Sequence, residues 1–125
     1  MWVFTSVGFI AAVQEDGEPN LIRVRSRTRE AIEQTGFPYR ETPTHDYAFL
    51  AIVDREDWLD WLLVAGEAIN YHSLKAAVVD EDLHDFYTDT WLALLDMNPP
   101  GFGRYNKAYG SMPPEQELRA GPEWP

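Results

Sequence analysis

The residues best suited to chemistry lie near the middle of the chain, at Tyr71, His72 and Lys75 and further on at His84 and Asp85. A tyrosine and a lysine four residues apart on a helix can transfer protons, because a nearby cation lowers the pKa of a phenol. That chemistry needs a dinucleotide over a glycine-rich turn, and the chain has no GxGxxG motif. A small hydrolase or nuclease-like enzyme is one hypothesis, with a site at a turn between helices made of His72, Lys75, His84 and Asp85.

Metal and nucleophile motifs are absent from the sequence. The chain has no cysteine, no HExxH motif and no GxSxG motif. Asp85 and Asp89 stand one helical turn apart and resemble a pair that binds a hard cation. Acids near the start of a helix are better explained by the helix dipole, which favours negative charge there. We therefore predict no metal and no cofactor.

The formal net charge of −11 is concentrated in one part of the chain. Residues 54–96 hold eleven acids and two bases, a net −9, whereas residues 1–53 carry only −2. Such a surplus repels nucleic acid and anionic membranes and attracts basic surfaces. We expect no direct contact with nucleic acid or membrane.

The leading hypothesis is a non-enzymatic binding or regulatory protein whose acidic helices meet a basic surface on a partner protein. An inhibitor from a phage or plasmid that mimics nucleic acid is one concrete form of it. An ordinary solvated surface that keeps the protein soluble explains the same acids. The acids predicted to contact the partner are Asp57, Asp60, Glu67, Asp85 and Asp89.

A row of arginines is the one basic feature. Arg23, Arg25 and Arg27 alternate with Ile22, Val24 and Ser26, so a strand would place the arginines on one face. These arginines can pair with acids of the neighbouring strand or helices. Alternatively they bind an acidic partner or the acidic helices of another copy, which would make the protein a homo-oligomer joined head to tail.

The order of predicted elements indicates an α+β fold with a small antiparallel sheet, an N-terminal hairpin plus a strand after a short helix, packed against two or three C-terminal helices. The predicted strands cover residues 3–13, interrupted near Gly8, 21–27 and 47–53, with loops at 14–20 and 37–46. Thr28 or Ser26 can cap the short helix, Ser73 can cap a short helical turn at residues 73–78, and longer helices start at Asp54 and Asp80. The expected buried residues of these two helices are Trp58, Trp61, Leu62, Ala65 and Ile69, then Leu83, Tyr87, Trp91 and Leu94 or Leu95.

Residues 1–98 are predicted to form a single α+β domain, and residues 99–125 an extended or partly disordered tail. The tail carries six of the nine prolines and four of the eight glycines. No apolar run approaches the ~20 residues needed to cross a bilayer, and the lack of cysteine fits a reducing compartment. We expect a cytoplasmic protein.

A set of residues spread over the first hundred positions forms a recognisable pattern. Its members are Met1, Trp2, Phe9, Val13, 22–27, Thr42, Pro43, Asp46, Tyr47, 68–71, Leu74, Lys75, 83–85, Tyr87 and Trp91. This pattern resembles a family of small uncharacterised proteins from actinobacteria, cyanobacteria and their phages or plasmids, in which an Asp stands at the position of Asn70 and a Phe at the position of Leu74. The resemblance implies a single small domain and no particular activity.

Overall fold

The computed structural model describes residues 1–43 and 46–97. The chain divides into two compact units, of which the first is Met1–Asp85 and the second begins at Phe86. The predicted tail, residues 99–125, lies outside the described residues. The elements are β1 Trp2–Phe4, β2 Phe9–Glu15, β3 Glu18–Ser26, α1 Arg29–Glu33, β4 Arg40–Glu41, β5 Phe49–Asp54, α2 Arg55–Glu67, α3 Leu74–Ala77 and α4 Glu81–Asp96.

The first unit is built on a five-stranded antiparallel sheet with the strand order β1-β2-β3-β5-β4. Its central strand β3 pairs on both sides, so that Val24 lies between Ala12 of β2 and Ala51 of β5. Together with the helices, this sheet confirms the predicted α+β class.

Side chains of β3 alternate between the two faces of the sheet, as the sequence predicts. Ile22, Val24 and Ser26 are buried on the inner face, and Arg23 and Arg25 lie on the outer face. The inner face is covered by α1 and α2, whose buried residues Ile32, Trp58 and Trp61 join the same hydrophobic core. Antiparallel sheets often pack one face in this way and leave polar side chains on the other.

The helix that follows β5 buries its two tryptophans. Trp58 and Trp61 are three residues apart on α2, and their rings stack with centroids 5.3 Å apart. Both join the core at the inner face of the sheet. The predicted packing of a tryptophan-bearing helix on the sheet is therefore confirmed for α2.

Helix caps also follow the sequence. The hydroxyl oxygen of Thr28 accepts a hydrogen bond from the Ala31 N–H at 3.3 Å, and that of Ser73 accepts one from the Ala76 N–H at 3.4 Å. The Asp80 carboxylate accepts one from the Leu83 N–H at 2.9 Å, at the start of α4. Each bond satisfies a backbone donor that the first helical turn leaves unpaired.

The N-terminal strand is interrupted where predicted. Residues 5–8 separate β1 from β2, and the Thr5 hydroxyl oxygen accepts hydrogen bonds from the N–H groups of Val7 and Gly8. Gly8 crosses α1 so closely that a Cβ there would lie 2.6 Å from the Cβ of Ala31. Only glycine fits this crossing without a shift of the backbone.

Two predicted loops are wrong in length. The hairpin loop was predicted at residues 14–20, but in the structure it consists of Asp16 and Gly17 only, because β2 continues to Glu15 and β3 begins at Glu18. Gly17 has φ +70°, which glycine adopts readily. The predicted loop at residues 37–46 contains the short strand β4, which pairs with β5. Short edge strands of this kind carry little sequence signal.

The predicted buried stripes extend too far. Ile69 was predicted to be buried on α2 but is exposed, because the helix ends at Glu67, before this residue. In the second unit, Tyr87 of α4 is buried with the Phe86 ring 5.8 Å away, but Trp91 and Leu94 are exposed.

None of the helices in the described part of the chain has the length and hydropathy of a membrane span.

Candidate functional site

The outward side of α2 combines carboxylates with exposed apolar side chains. Because Trp58 and Trp61 face the core, residues about half a turn away face solvent. Leu59, Leu63 and Val64 are 54%, 63% and 60% exposed, which is high for apolar side chains on a folded helix. The acidic helix surface is defined by Glu56, Asp57, Leu59, Asp60, Leu63, Val64 and Glu67, all exposed.

The carboxylates of this surface are not neutralised locally. Arg55, the only base on α2, donates from its guanidinium to the Pro19 carbonyl at 2.9 and 2.7 Å, in the β2–β3 hairpin. Within residues 1–43 and 46–97, none of the carboxylates of Glu56, Asp57, Asp60 and Glu67 forms an ion pair. The acidic helix surface therefore presents four carboxyl side chains to solvent.

The outer face of the sheet places arginines in a cross-strand row. Arg25 lies between Ala11 and Leu50, and Leu50 pairs in turn with Arg40. The neighbouring row is Val13, Arg23 and Ile52. Helices α1 and α2, which contact the sheet, contribute buried residues to the core at its inner face.

Two of the arginines are paired within the protein. The Arg23 guanidinium donates to both carboxylate oxygens of Glu15 on the adjacent strand, at 2.6 and 3.2 Å. Arg29 donates to the carboxylate of Glu41 and to the Tyr39 hydroxyl, and these bonds raise the pKa of its guanidinium. The predicted internal pairing is confirmed for these two residues.

Arg25 and Arg27 lie instead over one aromatic ring. Their guanidinium carbons are 4.6 and 5.2 Å from the centroid of the Tyr47 ring. The Nε of Arg25 is buried and has no hydrogen-bond partner among the residues that the structure describes. In the described residues, neither side chain nor that of Arg40 forms an ion pair with a carboxylate. The arginine sheet surface is defined by Trp2, Val13, Arg25, Arg27, Arg40 and Ile52.

The Arg23–Glu15 pair predicts a pH dependence. The hydrogen bond from Arg23 holds the pKa of the Glu15 carboxyl below its ordinary value of 4.5. The pair therefore stabilises the fold above the unfolded pKa, and this contribution is lost as pH falls through the lower folded pKa. We expect an NMR titration of the Glu15 side-chain carboxyl to have its midpoint below 4.5. Arg23→Gln should raise that midpoint, whereas Arg27→Gln should leave it unchanged. A midpoint unaffected by Arg23→Gln would contradict the assignment.

Two depressions on the described residues are lined by different members of the set proposed for catalysis. His84 and Asp85 line an open depression of about 400 Å³ with Val78, Val79 and Glu81, and His84 Nδ1 is 3.9 Å from Asp85 Oδ1. Tyr71 lines a different groove of about 380 Å³ beside the C-terminal half of α2. His72 and Lys75 line neither of these two.

Metal ligation has no support in the described residues, among which no group of three or more histidines and acids could hold an ion. Asp85 and Asp89 are both exposed on α4. Two carboxylates supply at most about four oxygen ligands, fewer than the six to eight oxygen ligands that calcium takes.

No protein-family model, curated protein or solved structure matches this chain. The resemblance to small actinobacterial and cyanobacterial proteins thus stays a prediction. The site must be judged on its own geometry.

Two features of the site were missed in the sequence. The sequence of α2 has apolar residues on more than one side of the helix, and only one side can face the sheet. This distribution indicates that some apolar residues are exposed, as Leu59, Leu63 and Val64 are. The ring of Tyr47 under two arginines had no sequence signal, because 20 or more residues separate it from them.

Proposed function

We propose that this protein is a non-enzymatic binding protein that uses the acidic helix surface to engage a basic surface on a partner protein. The observation that carries the proposal is a group of exposed apolar side chains, Leu59, Leu63 and Val64. They lie among carboxylates that form no ion pair within the described residues. An exposed apolar patch with a polar rim is typical of a docking site. Solubility would explain the exposed acids, but it would not explain the exposure of the apolar side chains Leu59, Leu63 and Val64.

The mode of binding follows from the helix geometry. An amphipathic helix docks by placing residues spaced three or four apart in an apolar groove. Leu59 and Leu63 have that spacing, and Glu56, Asp60 and Glu67 flank them. The carboxylates would meet lysines and arginines at the rim of the groove, which speeds association and selects a basic partner.

A protein that binds nucleic acid is one class of partner with this chemistry. Its basic surface is built to accept regularly spaced negative charge, and α2 carries four carboxylates within 13 residues. Occupying that surface would block the nucleic-acid site, so the protein would act as an inhibitor. The hydrolase hypothesis has less support, because His84 and Asp85 line a depression that His72 and Lys75 do not line.

Site-specific crosslinking tests the proposal. A photoreactive phenylalanine analogue at Leu63 should capture a basic partner in cell extract, whereas the same group at exposed Glu30 on α1 should not. The variant Asp57→Asn/Asp60→Asn/Glu67→Gln should reduce capture at least about tenfold, because it removes the rim charges. Capture should also weaken in high salt, where the Debye length falls to about 3 Å at 1 M.

A matched variant controls for net charge. Asp16→Asn/Glu18→Gln/Glu30→Gln removes three charges from exposed positions away from α2 and should leave capture at Leu63 unchanged. Equal loss in both triple variants would mean that net charge, not the acidic helix surface, governs binding. Equal capture at Leu63 and at Glu30 would overturn the proposed function.

A further inference from the structure

We infer that a second copy of this chain is a partner of the acidic helix surface, which docks on the arginine sheet surface of the neighbouring copy. The inference rests on the proposed function and names a basic surface that fits it. The two surfaces lie on opposite sides of the first unit, because α2 packs on the inner face of the sheet and the arginines lie on the outer face. One copy therefore cannot bring its own two surfaces together.

The charges of the two surfaces are complementary. The helix offers four carboxylates without an ion pair, and the sheet offers Arg25, Arg27 and Arg40 without a carboxylate partner in the described residues. Arginine binds carboxylates through two parallel N–H groups, which fixes orientation as well as adding attraction.

The apolar residues match as well. Leu59, Leu63 and Val64 are exposed on the helix, and Trp2, Val13 and Ile52 are exposed on the sheet. Tryptophan and arginine are the residues most enriched at the energetic centres of protein interfaces. Burying these side chains against one another removes apolar surface from water on both copies.

The two surfaces have similar lengths. Helix α2 has 13 residues, which at 1.5 Å per residue gives about 20 Å. Five strands spaced about 4.8 Å apart span about 19 Å from first to last. The length of the helix therefore matches the width of the sheet from Trp2 on β1 to Arg40 on β4.

Charge also selects the symmetry of the contact. A two-fold dimer through the sheets would place arginines against arginines, and one through the helices would place carboxylates against carboxylates. A head-to-tail contact pairs opposite charges and leaves one acidic and one basic surface free for further copies. The net charge of −11 opposes assembly at very low salt, so the contact should be strongest near 0.15 M, where the Debye length is about 8 Å.

Complementary variants test the inference by sedimentation velocity at 0.15 M salt. The helix variant Asp60→Asn/Leu63→Ser and the sheet variant Arg27→Gln/Arg40→Gln change exposed residues only, and thermal melting checks that both remain folded. The wild-type chain should sediment faster as concentration rises, and each variant alone should stay near the mass of one 14.4 kDa chain. An equimolar mixture should form a complex of two chains, because each variant retains the surface that the other has lost.

The outcomes separate the inference from the proposed function. A wild-type chain that stays monomeric up to millimolar concentration, or variants that associate as the wild type does, would overturn the inference. If the Leu63 crosslink still captures a different basic protein, the proposed function stands without self-association. If that crosslink captures only copies of this chain, the inference is supported and the partner is the chain itself.

Discussion

Trp58→Ala is expected to lower the free energy of unfolding by about 3–5 kcal/mol, the largest effect of any single change proposed for this chain. Trp58 is 4% exposed, stacks on Trp61 and belongs to the core between α2 and the sheet. Removing the indole loses its burial and leaves a cavity that the backbone of β3 and β5 cannot close. The loss is a large part of the total stability of a small domain.

Urea denaturation followed by circular dichroism measures the change. Leu63→Ala is the matched control, since it lies on the same helix but is 63% exposed, and it should change the free energy of unfolding by less than about 0.5 kcal/mol. A similar loss in both variants would contradict the argument from burial, since alanine is the best helix former and neither substitution lowers helix propensity. Trp58→Phe should recover part of the loss, because it retains an aromatic ring.

Gly8→Ala is expected to destabilise the fold by about 1–3 kcal/mol, the cost typical of overpacking. The added Cβ would lie 2.6 Å from the Cβ and 3.1 Å from the Cα of Ala31, and neither atom can turn away as the end of a long side chain would. Either α1 or the β1–β2 connection must shift. The same urea titration measures the loss.

Two further variants isolate the contact. In Gly8→Ala/Ala31→Gly the clash between the two Cβ atoms is gone, so the double variant should lose less stability than the sum of the single variants. Gly66→Ala, where a Cβ meets nothing within 4 Å, should stabilise α2 by about 0.5–1 kcal/mol. Destabilisation by Gly66→Ala, or additive losses in the double variant, would contradict the packing argument.

Local patterns predicted much of this fold. The alternation of Ile22, Val24 and Ser26 with arginines gave the correct faces of β3, because a strand has a period of two. Thr28 and Ser73 gave the starts of α1 and α3, because a cap is a bond between residues three apart. Features of this kind depend on neighbours in the chain.

Features set by distant residues were not predictable in the same way. Strand β4 exists through pairing with β5, and nothing within Arg40 and Glu41 requires it. For the site, the sequence indicated the acids of α2 and the arginines of β3. The partner of each arginine could not be predicted. Arg23 binds Glu15 across the β2–β3 hairpin, whereas Arg25 and Arg27 contact Tyr47, which α1 and β4 separate from them along the chain.

The two outermost strands of the sheet are only three and two residues long. Edge strands this short present few backbone groups to a foreign strand, which disfavours templated growth of the sheet at these two strands, as in amyloid. The head-to-tail contact inferred above would instead be made by side chains. It should dissolve when ionic strength is raised, where a backbone-bonded fibril would persist.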